Sequence, residues 1–423
     1  MDKPTILILA GGENSRFFPL NTTTHKGALT LLGKPLVIRT LENLEKHGFT
    51  HVVMIVSKKD FDGSGLSGFI KEFNFKLKID FVLQPDAQGM GNAVLCAKEK
   101  IKGSFGVVFP SSLDAGELME SLMKQAGTGG SLAVRYTQEP WLYGIVTLEG
   151  QRITSIVEKP TKGTEPSNLM ATGVYYLSHE FLEFLQVAAQ TQYNFEESLD
   201  KFVQVYSVTA VEQSHTLPSL KYPWHLFAFQ HVLFSDLPNY ISPYSTVAKT
   251  AVIDTKNGPV YIENGATIGH AVKIVGPAYI GKDVFIGDFS LIRQSSFEQG
   301  SSVGVHSDVT RSIIMEDSSM HNGFLGDSII GRDVQIGAGL ITSNKRMDRE
   351  PIEVIVKGTK VASRLRGLGT VIGDHAKVGV RVTIMPGKFV GCRAIVYPGL
   401  TVWEHIPHDH LIKSPQTIEV VER

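Results

Sequence analysis

Residues 9–20 read LAGGENSRFFPL and begin on the last residue of the apolar run TILIL. Gly11, Gly12, Ser15 and Arg16 are the parts of an anion cradle. Successive backbone N–H groups in a glycine turn can point at one phosphate while the Arg16 guanidinium supplies a two-pronged charged donor. A Gly-Gly turn behind a strand equally closes loops that bind nothing, so the cradle gains meaning only from the elements around it.

Those elements alternate. Between residues 5 and 237, β-rich runs (TILIL, HVVMIVS, KIDFVLQ, FGVVF) trade places with helical ones (PLVIRTLENLEKHG, GFIKEF, GNAVLCAKEKI, GELMESLMKQA). SLAVRYT, the hairpin-like YGIVTLEGQRITSIVEKP, GVYYL, and helices near HEFLEFLQVAAQ and WHLFAFQHVLF follow. The pace predicts an α/β, Rossmann-like domain with a mixed, mostly parallel sheet covered on both faces, and ligands at the carboxyl ends of its strands.

After Asn239 the period changes. Ile262, Ile268, Ile274, Ile280, Ile286 and Ile292 recur every six residues, and Ile372, Val378, Ile384, Val390, Val396 and Val402 resume the pattern. One inward aliphatic per step, with Gly269, Gly281 and Gly287 following, predicts a parallel β-helix of hexapeptide repeats. The basic segment 343–369 interrupts the coil and reads as a projecting loop. The expected division is 1–237 for the first domain, 240–405 for the β-helix and 406–423 for a C-terminal tail, with a linker at 236–239.

Composition narrows the partners. The 41 Lys and Arg nearly balance the 42 Asp and Glu, so no global field recruits nucleic acid or a membrane surface, and an anionic ligand must be held locally. Cys96 and Cys392 form neither a disulfide framework nor metal-ligand spacing. No apolar run has signal-peptide or membrane-spanning length, and a reduced, cytoplasmic setting is the expectation.

The motif set as a whole resembles the sugar-1-phosphate nucleotidyltransferase family. LAGGENSRFFPL, then His25-Lys26 and GKPLV, is similar to that family's LAGGxGTRLxPL, PK and GKPLI. QPDAQGMGNA is similar to its base-recognition segment, YGIV and VEKP to its sugar-binding stretches, and PWHLFAF to its closing helix. The resemblance implies that Arg16 and Lys26 hold the phosphates with catalytic effect. It places the nucleotide against Gly11, Gly12, Ser15, Gln84, Gly89 and Gly91, and the sugar against Gly144, Glu158, Lys159 and Gly173. Gln84 matches the edge of uracil or thymine, which favours a pyrimidine nucleoside triphosphate beside a sugar 1-phosphate. The departures are Asn14 for the loop glycine, His25 for the proline and Met90 for a threonine. Ser111 and Ser219 stand where the family has the two aspartates that hold Mg²⁺, and Asp114 is the remaining carboxylate candidate. A serine hydroxyl is a poor ligand for that ion.

The C-terminal stretch RSIIMEDSSMHNGFLGDSIIGRDVQIGAGLITSN, continued by LGTVIGDHAKVGVRVTIMPG, resembles the left-handed acetyltransferase β-helix of bifunctional uridyltransferases and their archaeal-type relatives. The likeness implies acetyl-CoA as co-substrate, His321 as the base that takes a proton from the attacking amine, Asn344 as an orienting amide and Arg364 as a cation. Phe324 and Gln335 replace the family's tyrosine and asparagine. A polar residue on a turn is the competing reading of His321. The expected protein is therefore a transferase making a nucleotide sugar, possessed of a second acyl-transfer site and assembled as a homotrimer about its flat coil faces. The two serines raise the alternative of a degenerate, nucleotide-sugar-binding regulatory or scaffold paralogue.

Overall fold

The computed structural model describes residues 3–63, 65–188, 191–213, 217 and 219–414. They fall into two compact units whose boundaries interleave. One gathers the chain up to Glu13, Gly27–Leu29 and Pro35–Ser219; the other gathers Asn14–Lys26, Thr30–Lys34 and the chain from Leu220 onward.

The first unit is built on β1 (Thr5–Ala10), α1 (Leu36–Lys46), β2 (His51–Ser57), β3 (Lys78–Gln84), α2 (Met90–Cys96), β4 (Phe105–Val108) and α3 (Ala115–Gln125). It continues through β5 (Gly130–Tyr136), β6 (Gly144–Glu149), β7 (Arg152–Glu158), β8 (Leu169–Leu177), α4 (Phe181–Val187), α5 (Asn194–Val205) and β9 (Val208–Glu212). The sheet order is β3-β2-β1-β4-β8-β5-β9-β7-β6. It runs parallel from β3 to β4, then turns mixed where β8 lies antiparallel to both β4 and β5. Side chains of β1 alternate between two cores, Leu7 and Leu9 facing one cluster and Ile6, Ile8 and Ala10 the other, as a strand covered on both faces requires. Helix α1 buries Leu36, Val37, Leu41 and Leu44, the apolar stripe legible in PLVIRTLENLEK.

In the second unit, α6 (Leu226–Ser235) precedes the coil and inserts Gln230 toward it, donating to Ser296 Oγ at 3.0 Å and to the Ser312 carbonyl at 3.2 Å. All twelve aliphatics of the two six-residue runs are buried in one continuous cluster. Parallel pairing stacks them: Ile262 lies beside Ile280 and Ile372 beside Val390, each eighteen residues apart, which is three hexapeptides per coil. Between the runs the coil shortens. Ile280 pairs with Phe297 and Phe297 with Ile314, seventeen apart, and Ile314 with Ile330, sixteen apart. Phe297, Val303, Val309, Ile314, Met320, Leu325 and Ile330 keep the wall filled through this region. Segment 343–369 is more than a loop: Glu353–Val356 and Thr359–Ala362 form an antiparallel hairpin with its turn at Lys357-Gly358. Coil pairing continues beyond 405, where Leu411–Ile412 pairs with Ile395–Val396.

Candidate functional site

Within the first unit, the loop after β1 meets the end of β3. A Cβ on Gly11 would sit 2.1 Å from Gln84 Oε1, so only glycine lets the two segments touch, whereas Gly12 faces open space. Gln84 is buried and its Nε2 donates to the Gly89 carbonyl at 3.1 Å and to Asn92 Oδ1 at 2.9 Å. Its amide therefore clamps the turn that carries the GMG sequence. Gly89 has φ +93°, a conformation glycine adopts freely, and a Cβ there would collide with the Gln192 carbonyl; a Cβ on Gly91 would meet the Asn194 amide at 2.3 Å. Part of the glycine spacing thus answers to the chain entering α5.

Gly144 and Glu158 face each other across β6 and β7, and a Cβ on Gly144 would come within 2.8 Å of Glu158 Oε2. Lys159, at φ +46°, places Nζ 3.4 Å from Glu158 and donates to the Tyr193 hydroxyl at 3.1 Å. Behind them, burial first and the nearby Glu158 charge second push the Glu196 carboxyl up to about 7. Asn194 is fully buried with neither amide atom hydrogen-bonded, and Glu196 Oε2 is likewise buried without a partner. Both residues were missed from sequence, because NFEESLDKFVQV reads as an ordinary amphipathic helix. Gly173, at φ +90°, clears the Phe109 ring, which would lie 2.4 Å from a Cβ.

Ser111 and Ser219 are half-buried, and Asp114 occupies the position just before α3 without capping it through its side chain. Among the described residues no group of three or more His, Cys, Asp or Glu is placed to hold a metal ion. Two serines and one carboxylate, Ser111, Ser219 and Asp114, do not make the hard, oxygen-rich set that Mg²⁺ prefers.

In the second unit, Ser15–Phe17 forms a single tight turn introduced by Asn14 in the left-handed conformation at φ 54°, with Phe17 buried and Arg16 exposed. The following stretch is sewn to the coil. Thr23 is hydrogen-bonded to Asp374, Arg332 Nη2 donates to Thr24 at 2.6 Å, and Arg332 also forks onto Asp374. The Cys392 thiol lies 3.0 Å from the Pro19 carbonyl. The next turn is held the same way, the buried Glu298 carboxylate accepting the Leu32 and Gly33 N–H groups at 2.9 and 2.8 Å. Lys26 donates to the Leu220 carbonyl at 3.0 Å, and burial together with the adjacent Arg16 charge lowers its pKa to about 8.

His321 is exposed on Ser319–Gly326 and lines a cavity of about 800 Å³ with Gln335, Lys377, Phe285, Val305 and Tyr397. Asn344 and Arg364 are not in its lining. Asn344 instead donates to Asp327, whose carboxylate also receives a two-pronged bond from Arg311, while Phe324 and Asn344 pack against Gly326. Arg364 is exposed, with φ +62°.

This combination of a glycine-loop α/β unit and a parallel β-helix defines a nucleotidyl transferase, and the chain belongs to that family: the Nucleotidyl transferase model matches residues 5–219, and the GMPPB C-terminal domain model matches residues 256–349. Two curated relatives align along nearly the whole length. The chain is 29% identical to "Bifunctional protein GlmU" of Methanococcus vannielii, covering 99% of both chains. It is 30% identical to "Bifunctional sugar-1-phosphate nucleotidylyltransferase/acetyltransferase" of Sulfurisphaera tokodaii, covering 96% of this chain and 99% of the relative.

Proposed function

We propose that the protein joins a nucleoside triphosphate to a sugar 1-phosphate, giving a nucleotide sugar and pyrophosphate, and that its β-helix transfers an acetyl group to an amino sugar. The observation that carries the reading is the end-to-end likeness to the Sulfurisphaera relative, whose name gives both activities. A sugar-phosphate oxygen attacks the α-phosphorus, the bond to the leaving pyrophosphate breaks, and the work left to the protein is charge neutralisation and alignment. Arg16 and Lys26 supply cations, with Lys26 still mostly protonated at pH 7. Glu158 accepts from sugar hydroxyls, and Glu196, partly protonated at that pH, is able to donate to one. With Nε2 of Gln84 occupied, its Oε1 is left as an acceptor for the N3–H of uracil or thymine, which supports a pyrimidine nucleotide. No step is assigned to a metal, since Ser111, Ser219 and Asp114 do not make a ligand set.

In the β-helix, the exposed apolar lining of the His321 cavity suits the arm of acetyl-CoA. The amine attacks the thioester carbonyl, His321 takes its proton, and CoA leaves as the thiol. Asn344 lies outside that cavity, so within one chain it does not orient a substrate at His321; in a homotrimer a neighbouring copy would be needed to complete the site.

Pyrophosphate release across a panel of nucleoside triphosphates and sugar 1-phosphates, with and without Mg²⁺, tests the first activity, and thiol release from acetyl-CoA with amino-sugar phosphates tests the second. A wild type that binds nucleotide sugar yet releases neither product would return the reading to a regulatory paralogue.

A further inference from the structure

The segment that interrupts the coil has no role in the reading above, yet its hairpin turn closes a cavity of about 210 Å³ over the Ser15-Arg16 loop. Ser15, Arg16 and Phe18 line one side; Lys357 and Gly358 of the turn and His405 of the coil line the other. No carboxylate contributes to the lining. Among the described residues, neither the Arg16 guanidinium nor the Lys357 ammonium has a carboxylate or carbonyl partner. His405 adds a further donor. Its Nδ1 accepts the Phe389 N–H at 3.0 Å, which assigns the ring proton to Nε2, buried beside the Ile355 backbone. Two exposed cations and this ring N–H border one small space, backed by the rings of Phe18 and Phe389, a set of donors with the geometry and charge to receive an anion.

We propose that the hairpin is a phosphate-binding element, and that Lys357 with His405 completes, opposite Arg16, a site for a diphosphate of the pyrophosphate class. The inference rests on the nucleotidyl-transfer reading for its choice of anion, because that reaction generates a diphosphate next to Arg16. Burial, with the Lys388 charge, lowers the pKa of His405 against a backbone bond to Ile355 that raises it, so the ring's part is that of a neutral donor shared between that backbone and the anion. Gly358, at φ +77°, gives the turn a left-handed bend and leaves open space where a side chain would stand.

Calorimetric titration of the full chain with inorganic pyrophosphate, and separately with inorganic phosphate, tests the proposal. Lys357 is exposed, so Lys357→Ala is expected to fold normally and to weaken pyrophosphate at least tenfold, with Lys357→Arg recovering most of the loss. Lys360→Ala, which removes an exposed lysine on the other strand of the same hairpin, should leave the affinity unchanged. Undetectable pyrophosphate binding by the wild type, or equal affinity of Lys357→Ala and wild type, would overturn the hairpin's role even if substrates are turned over. Conversely, a Lys357-dependent pyrophosphate site in a protein that turns over no substrate pair would remove the nucleotidyl-transfer reading and leave the anion site standing.

Discussion

Lys26 is held in a less favourable place than a surface lysine, and the consequence has a sign. Its folded pKa of about 8 lies below the unfolded value near 10.5. Between those limits the unfolded chain binds more protons, so stability rises with pH across roughly 8 to 10.5. Urea titrations should show the wild type gaining on Lys26→Met over that window. Phosphate binding runs the opposite way: triphosphate affinity should fall from pH 7 to 9.5, and Lys26→Arg should flatten the fall. Glu196 predicts a second profile, because at pH 6 it shares its neighbourhood with Glu158 as a neutral acid and at pH 8 as a second anion. Sugar 1-phosphate affinity should drop across that interval in the wild type and stay level in Glu196→Gln. Arg16 and Lys26 entered as candidates because a motif in fixed order singles them out. Glu196 and Asn194 were not, since their significance comes from α5 meeting β7 and the GMG turn, a tertiary fact with no local signature.

The elements show where periodicity carries a fold and where it stops. Twelve aliphatics in step exposed the β-helix directly, but the step fails after Ile292 because the coils shorten to seventeen and then sixteen residues while the wall itself continues. A hexapeptide count cannot see a coil that drops a corner residue. The hairpin was equally hidden, its strands EVIV and TKVA being only four residues long and set inside a segment rich in Lys and Arg. Glu298 is the element-scale test. Its carboxylate is buried and satisfied by the N–H groups of Leu32 and Gly33, so Glu298→Ala should leave two orphaned donors and cost about 2–4 kcal/mol of stability, with Glu298→Gln costing less. Equilibrium urea unfolding would check both. Ile274→Ala, in the unbroken part of the wall, should cost about 2–5 kcal/mol by cavity formation.

At the scale of the molecule, the coil carries large apolar groups outward as well as inward: Phe285, Phe289, Val305, Ile395, Tyr397 and Trp403 are all more than a third exposed. Flat faces with that composition commonly pack on copies of themselves. Light scattering should return a homotrimer, and a monomer would count against an acetyl-transfer site completed by a neighbour. Among the described residues no helix is long and apolar enough to cross a membrane. Sequence reading placed the seam between the domains at 236–239, but the compact units interleave, with 14–26 and 30–34 travelling with the coil.

That interleaving constrains how such a gene can be cut and recombined. A ribosome that stops, or a protease that nicks, anywhere near residue 237 releases a fragment whose Arg16 loop has lost Asp374, Arg332 and Cys392, and whose GKP turn has lost Glu298. The two halves are thus not interchangeable cassettes: a chimera that imports a foreign β-helix has to import matching anchors for those four contacts or bring its own loop with it. Shuffling that respects only the apparent linker should yield coils attached to an Arg16 loop without its anchors.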